Sequence, residues 1–521
     1  MAGAGGAAGG AAGGAAGGAA GGAAAGAAGA AAPPCCAGRE RGGGAGADAA
    51  RPPSRPGRGR PAVGALVNRH SGGGAGGRAL HCLQGRLGGS SVFDLGVSSP
   101  EDALRALVAP LAPPGAPCGY PRLLRPLVVF VCGGDGTWNW VVGALEGLRL
   151  GEDGAGCCPG FPQDPDCAWN RVVLVPIPLG TGNDAAGSLG WGRSWPGTST
   201  LLRYVDATLH ARGTQVVPEP SPPPSYCSPS SSSGEDETEF GTGRWALGGG
   251  SWESSSPHSG GSSPTSHLER NYVRMDTWRV GLSNGCFDDG GPCEGGVGRR
   301  QQHLTMCNYF SVGVDGEACR RFNKSRSRRS STMSRAATPF GNKATYAALG
   351  GALLLKGAHS LDKRLLSVEI DGRAIELPAK TKAVLVLNLP SYADGTAPWP
   401  AAEAPALRRA GFRPGAIDDG CVEVVALLSL LAVPTMKLTR SGGGLVKSLG
   451  QGGHVSLRFA PEPPGRLKKT ILSTQVDGEP FRFESVGEQI EIGPSLGVNT
   501  CFGPSRGSLF QGPPALSARP P

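Results

Sequence analysis

None of the fifteen cysteines in this 521-residue chain forms a CxxC pair or part of a Cys/His ladder, so their spacing supports neither a zinc module nor a disulfide framework. Reduced thiols in a cytosolic or nuclear setting follow as the simplest expectation. Adjacent Cys35 and Cys36 fit an acylation pattern, although biased segments produce such pairs too. Long apolar runs are also missing. The run VVALLSLLAV (Val424–Val433) is too short to span a bilayer, so no transmembrane helix is expected. The N-terminal Ala/Gly run carries no charge before Arg39 and lacks the basic start and compact apolar core of a secretory signal. It also lacks the Arg- and Ser-rich character of a transit peptide, which leaves organelle targeting a weak alternative. Aromatics make up only 6% of the chain and do not interleave with basic residues, so a single-strand nucleic-acid binder is not expected. No GxxxxGK[ST] occurs, which argues against a P-loop NTPase.

What is present is uneven. The 88 glycines and 46 prolines gather at the ends and in one internal stretch, so the folded part is smaller than the length suggests. Residues 1–60 read as a disordered Ala/Gly/Pro-rich tail, 213–270 as a Ser/Pro/Gly-rich linker and 491–521 as a flexible tail, with the Gly/Pro texture setting in after Ser495. Two folded units remain, 61–212 and 271–490. In the first, the runs AVGALVN, SVFDL, PLVVFV and RVVLVPIP alternate with helix-capable segments such as SPEDALRALVAPL, where Ser99 suits an N-cap and Glu101 and Asp102 the first turn. Alternation of this kind predicts a parallel sheet with helices on its faces. The second unit has many short alternating runs separated by Asp-Gly turns, which predict an antiparallel sheet or sandwich, with a helix near Lys343 to Leu355 over part of it. The net charge of +9 favours anionic surfaces without naming one.

The stretch VCGGDGTWNW places a carboxylate, Asp135, in a glycine turn after an apolar strand. Trp138, Val141, Val142, Leu145 and Leu148 then share one helical face, so the turn sits at a helix N-terminus. Unpaired N–H groups and the positive end of the helix dipole make that place an anion site, and glycines let a phosphate approach the backbone. An isolated Gly-Asp-Gly is more often plain turn chemistry. Here PIPLGTGNDAAGSLGWG repeats the arrangement with Gly180, Thr181, Gly182, Asn183 and Asp184, and two such turns in one sheet would line one crevice. The rival match to GxGxxG at Gly72, Gly74 and Gly77, with Asp94 closing the next run, is cheap in a glycine-rich chain and is set off from its strand by NRHS.

At these residues the chain resembles the eukaryotic diacylglycerol kinases, in the simple architecture of the short plant-type members. VNRHSGG, VFDL, GGDGTWNWVVGALEGL and VPIPLGTGNDAAGSLGWG follow the catalytic half of that family; MCNYFSVGVDGEACRRFN, NKATYAALGG, AVLVLNLPSYADGTAPWP, IDDGCVEVVAL and TQVDGEPF follow its accessory half. The resemblance implies a Rossmann-like α/β domain joined to an antiparallel β-sandwich, with a nucleotide cleft between them. It implies transfer of the ATP γ-phosphoryl group to 1,2-diacylglycerol, with Mg²⁺ as cofactor. Gly133, Gly134, Gly136 and Thr137 would cradle phosphates, Asn68, Ser71, Gly72 and Gly73 would form the adjoining nucleotide edge, and Thr181, Asn183 and Asp184 would complete the crevice. Asp135 would be the base or metal-organising carboxylate and Asp315 a second acid reaching in from the other domain; a strand-end turn residue is the plainer reading of Asp315.

Several features depart from the family pattern. Arg69 stands where the family has Pro in its NPxSGG turn. Cysteine-rich zinc modules and EF-hand loops are missing, so the expected enzyme is cytoplasmic, peripherally membrane-associated and meets its lipid through the catalytic unit, a basic surface or a partner. The segment 320–335 has seven Lys/Arg and no acid, which fits binding to anionic lipid or tuning by phosphorylation at Ser330 or Ser331; a solvated loop without a role is the plainer reading. Two alternatives stay open at this stage: a sphingoid-base or ceramide kinase, which shares GGDGT, and a non-catalytic lipid-binding protein on a kinase scaffold.

Overall fold

The computed structural model describes residues 61–111, 126–151, 168–210, 272–288, 300–301, 303–330, 361, 364–399, 411–429, 431–439, 444–460, 471–484 and 487–504, with the side chains of 300, 301, 325–330, 366 and 437 excepted. The expected N-terminal tail, the linker, the helix near Lys343 to Leu355, and Cys35, Cys36 and Ser331 lie outside these residues.

Four strands, β1 (Ala62–Val67), β2 (Val92–Asp94), β3 (Leu127–Gly133) and β4 (Val172–Pro178), run parallel. Every residue of β3 and β4 is buried, as expected for central strands covered on both faces. Helices α1 (Ala75–Leu87), α2 (Pro100–Val108) and α3 (Asp135–Leu150) connect them. Ser99 caps α2 by accepting the Asp102 N–H at 3.1 Å, with Pro100 in the first turn. The five apolar positions read along α3 are all buried. Two further helices, α4 (Asp184–Ser188) and α5 (Thr198–His210), follow β4.

The antiparallel part contains β6 (Trp278–Leu282), β7 (Phe287–Asp288), β8 (Arg300–Gln301), β9 (His303–Met306), β10 (Tyr309–Gly313), β11 (Leu365–Ile370), β12 (Arg373–Ile375), β13 (Ala383–Leu387), β14 (Val422–Leu427), β15 (Val446–Gly452), β16 (Val455–Phe459), β17 (Ile471–Val476), β18 (Glu479–Glu484) and β19 (Gln489–Pro494). They form two sheets, ordered β15-β14-β13-β10-β17-β18-β7-β8 and β12-β11-β16-β19-β6-β9. Trp278, Phe310, Val384, Leu457 and Ile490 meet in a core shared by both sheets. On the outer face of the larger sheet, Leu385, Leu387 and Val425 pack with Ala432 and Met436 of the helix Ala432–Thr439. The Asp-Gly turns appear as read: Asp371-Gly372 and Asp477-Gly478 both have positive φ at the two central positions, the requirement of a type I′ hairpin.

Two expectations are corrected. The first sheet is mixed rather than parallel throughout: with β5 (Tyr272–Met275) and β20 (Val498–Cys501) its order is β2-β1-β3-β4-β20-β5. Strand β5 (Tyr272–Met275), which lies in the segment assigned to the second unit, joins the first sheet at its edge. The other correction concerns the flexible tail at 491–521. Residues 491–494 belong to β19, and β20 (Val498–Cys501) pairs parallel to β4 and antiparallel to β5. Val498 and Cys501 are buried in the first core, and the Trp191 indole donates to the Cys501 carbonyl at 2.7 Å. A short Val-Asn-Thr-Cys run beside Gly/Pro-rich sequence gives little local sign that it completes a distant sheet.

Helix α3 joins the two parts, all within one compact unit, Pro53–Pro521. Its Glu146 accepts hydrogen bonds from Thr277 and Thr305, and its Arg149 donates to the Gly497 carbonyl at 2.5 Å. These polar residues are buried, and their partners come from the antiparallel half and the segment before β20.

Candidate active site

The strand order β2-β1-β3 means that the chain leaves β1 in one direction and returns on its other side to β3. Ligands of open α/β sheets bind beyond the carboxyl ends of the strands at such a switch point. Asn68 follows β1 and Gly133 ends β3, so the NRHSGG and GGDGT turns meet there. Asn68 donates its side-chain amide to Thr137 Oγ1 at 3.1 Å, while its carbonyl accepts the Ser71 N–H. Gly72, Gly73 and Gly74 all have positive φ. A Cβ on Gly72 would come within 2.7 Å of the Leu179 carbonyl, whereas one on Gly73 would enter open space.

The second glycine turn lies against the first. A Cβ on Gly180 would stand 2.5 Å from Gly134 Cα, and one on Gly133 would overlap the Thr137 side chain. Leu179 N–H donates to the Gly133 carbonyl at 2.7 Å. Asp135 closes the assembly. Its carboxylate accepts the N–H groups of Asp184 (3.0 Å) and Ala185 (3.1 Å), the first residues of α4. Asn183, the residue at the N-cap position of α4, makes no cap bond with its side chain, so Asp135 satisfies these helix-end donors from another segment. Burial and the nearby Asp184 charge raise the Asp135 pKa, against the two N–H donors and the Arg193 cation.

Asn183 and Asp184 are placed in the crevice but turned to other work. Asn183 is buried with φ of 54°; its amide accepts the Gly180 N–H at 2.9 Å and donates to the carbonyls of Gly180 and Arg193, both at 2.8 Å. It therefore shapes its own loop. Asp184 is fully buried and pairs with Arg193 at 2.6 Å. It also accepts from Ser391 Oγ at 2.5 Å and from the N–H groups of Asp394 and Gly395, both at 3.0 Å, across to the antiparallel half. Thr181 is half-buried in the same turn.

Asp315 does not reach the glycine turns. It begins the helix α6, the segment Val314–Ser330, and accepts from Ser311 Oγ, Tyr392 Oη and Gln475 Nε2, all within the antiparallel half. The acids that do approach are Asp477 and Glu479, in TQVDGEPF. The Asp477 carboxylate takes three successive backbone N–H groups, from Cys307, Asn308 and Tyr309, at 2.7–2.8 Å. Asn139, one turn along α3 from Asp135, donates its amide to Asp477 at 3.0 Å. Burial pushes Asp477 up to about 7, and the Asp135 charge adds to the rise against those backbone donors. Exposed Glu479 lies beside the first turn, its Oε1 2.9 Å from where a Gly136 Cβ would be. The signal for both acids was available: each stands at a polar Asp-Gly turn inside a stretch that carries the family resemblance.

The basic segment is partly described. Burial would raise Glu317, but hydrogen bonds from Arg320, Arg321 and Ser473 hold it at about 2. Two of the seven cations thus already face an acid just before the segment, while Lys324 is exposed.

A sheet switch point with two interlocked glycine turns and acids at helix ends defines an α/β protein with a candidate site at the carboxyl ends of its parallel strands. Comparison with known proteins makes this specific. Residues 62–211 match the diacylglycerol kinase catalytic domain and residues 305–480 the diacylglycerol kinase accessory domain. The chain belongs to the diacylglycerol kinases. It is 24% identical to diacylglycerol kinase 5 of Arabidopsis thaliana over 82% of this chain and 74% of that protein. It is 27% identical to human diacylglycerol kinase iota over 80% of this chain and 29% of the longer human protein. A crystal structure of a diacylglycerol kinase from Bacillus anthracis str. Sterne covers 85% of this chain and 98% of its own at 12% identity, with a TM-score of 0.41, a likeness too loose to bear on the reading.

Proposed function

We propose that this chain transfers the γ-phosphoryl group of ATP to the free hydroxyl of 1,2-diacylglycerol, giving phosphatidic acid and ADP. The observation that carries this reading is the locking of the GGDGT turn onto the LGTGND turn at the sheet switch point, with Asp135 bonded to α4. The N–H groups at the start of α3 are those on which phosphates would lie, the first N–H groups of α4 being held by Asp135. The nucleotide edge is Asn68, Ser71, Gly72 and Gly73, with Gly133, Gly134, Gly136, Thr137 and Thr181 around the phosphates, in a cleft bordered by the accessory domain.

Both Asp135 oxygens already accept a backbone N–H. This suits a carboxylate that organises the site more than one that swings to take a proton. Exposed Glu479, against Gly136, is the better proton acceptor for the lipid hydroxyl. The donor set fits Mg²⁺: it is all oxygen, and the adjacent Asp135 and Asp184 charges repel in a way a divalent cation would relieve. Asp135 is the residue that would hold the ion; among the described residues no group of three or more His, Cys, Asp or Glu could hold a metal. Bound Mg²⁺ would neutralise charge on the transferring phosphoryl group. In the transfer, the hydroxyl oxygen bonds to the γ-phosphorus as its proton passes to Glu479 and the bond to the ADP oxygen breaks.

No described helix is long and apolar enough to cross a membrane. The enzyme meets its substrate at a membrane surface from the cytoplasmic side, with the basic segment 320–335, of which Lys324 is exposed, as the part that would meet anionic lipid. The test is labelled-phosphate transfer from ATP in mixed micelles presenting diacylglycerol, sphingosine or ceramide. Labelled phosphatidic acid from diacylglycerol alone is expected; a labelled sphingoid lipid would move the chain to another lipid specificity, and no labelled lipid would favour a binding role.

A further inference from the structure

Arg193 lies just beyond the second glycine turn and has no part in the phosphate cradle. Its guanidinium forks between the domains: Nη1 pairs with Asp184 at 2.6 Å and Nη2 donates to Ser391 Oγ at 2.6 Å. Ser391 in turn donates to the same Asp184 oxygen, which closes a three-membered ring of contacts. Two glycines wall the side chain, one from each half of the protein. A Cβ on Gly187 would stand 2.8 Å from Arg193 Cζ and 3.0 Å from Cγ; one on Gly395, whose φ is +90°, would stand 3.1 Å from Nε. The loop that carries Ser391 and Gly395 is itself closed by paired backbone bonds between Tyr392 and Thr396, both 2.9 Å. Tyr392 continues the connection inward by donating to Asp315.

A planar fork is the chemistry that can hold a carboxylate and a hydroxyl together, and an ammonium cannot reproduce it. The Asp184 carboxylate is fully buried, so removing one of these partners leaves a buried polar group short of a hydrogen bond. We infer that Arg193 is a positioning residue that clamps the accessory-domain loop 390–396 to the second phosphate turn, and so sets where the accessory domain stands relative to the transferring phosphoryl group. The inference rests on the kinase reading for its catalytic consequence, but the clamp is a physical claim of its own. The two glycine turns are fixed by Asn183 and Asp135, neither of which needs the Arg193 side chain to make its bonds: Asn183 uses only the Arg193 backbone carbonyl. Loss of the fork therefore acts on the alignment of the two domains more than on nucleotide affinity.

The test uses the full chain with three changes: Arg193→Lys, which keeps the charge and loses the fork; Gly187→Ala, which keeps the arginine but displaces it; and Ser391→Ala, which removes one tine's partner. Amide exchange is measured for the 391–396 peptide, where Asp394 and Gly395 N–H groups donate to Asp184. Exchange about tenfold faster in Arg193→Lys and Gly187→Ala is expected, as local opening becomes easier. In mixed-micelle kinetics, kcat should fall on the order of tenfold to a hundredfold, the scale of a misplaced reacting group, with KM for ATP held within about threefold. Ser391→Ala should lower kcat less, and its effect should largely vanish in the Arg193→Lys background, because both changes break the same ring. Unchanged exchange in both displaced variants would overturn the clamp. Unchanged kcat, or a rise in KM for ATP as the main effect, would overturn the positioning role. An inactive wild type would count against the kinase reading, which the exchange rates do not depend on.

Discussion

Gly134 and Gly180 meet backbone to backbone, and neither can carry a side chain without moving the other's turn. Gly180→Ala would place a methyl group 2.5 Å from Gly134 Cα. Backbone cannot yield there as a side chain would, so a loss of about 1–3 kcal/mol is expected from overpacking. The functional loss should exceed the stability loss, since the two turns would part at the phosphate site. Thermal unfolding with and without Mg-ATP checks this: the variant should lose most of the nucleotide-induced stabilisation that the wild type shows, and a full shift would contradict it. At this scale the sequence located Asp135, because an apolar strand, a glycine turn and a helical face leave the carboxylate one position. It did not say what Asp135 binds. The N–H groups of Asp184 and Ala185 are donors of every residue and leave no mark in the sequence. Asn183 read as a crevice ligand for the same reason, since only the folded loop shows its amide turned back onto Gly180.

Among elements, β20 and β14 carry consequences that local patterns do not display. Strand β20 seals the first sheet from the far end of the chain, and the segment after it presses Gly503 onto Gly190, beside the second phosphate turn. Trp191→Phe removes the indole bond to the Cys501 carbonyl while keeping an aromatic ring near Tyr204, and should cost about 1–3 kcal/mol through a buried acceptor left short of a partner. Chemical denaturation would register it; a loss under a few tenths of a kcal/mol would mean that β20 is held by other contacts. In β14, Glu423 is fully buried with one carboxylate oxygen unpartnered. Burial and the nearby Asp419 push it up to about 8, against the Gln451 hydrogen bond and Arg413. A carboxyl with a raised pKa favours the fold while it keeps its proton, and that advantage is lost as pH rises from the ordinary carboxyl range through 8. Glu423→Gln should therefore gain Tm relative to wild type as pH is taken from 5 to about 9. A difference independent of pH would show that Glu423 is not protonated in the fold. Most strands and helices were legible because burial on one or both faces dictates their period; β20 was not, because its four residues are specified by the strands they join.

At the scale of the whole molecule, α3 is the shared part. Its N-terminus lies in the GGDGT turn, its second turn reaches Asp477 through Asn139, and its last turns meet the antiparallel half through Glu146 and the segment before β20 through Arg149. The GGDGT turn and the contacts between the two parts are thus at the two ends of one helix. The sequence showed two textures and hence two units. It could not show that Asp184 bonds to Ser391 207 residues away, since such a contact follows from how the two units dock. The most direct test of the account is phosphatidic acid formation from labelled ATP and diacylglycerol by wild type and Asp135→Asn, with circular dichroism and thermal unfolding to verify that the variant is folded. The account predicts a folded variant whose rate falls by at least about a hundredfold, the scale of losing an organising charge at a phosphoryl-transfer centre. A folded variant that still makes phosphatidic acid at near the wild-type rate would contradict it.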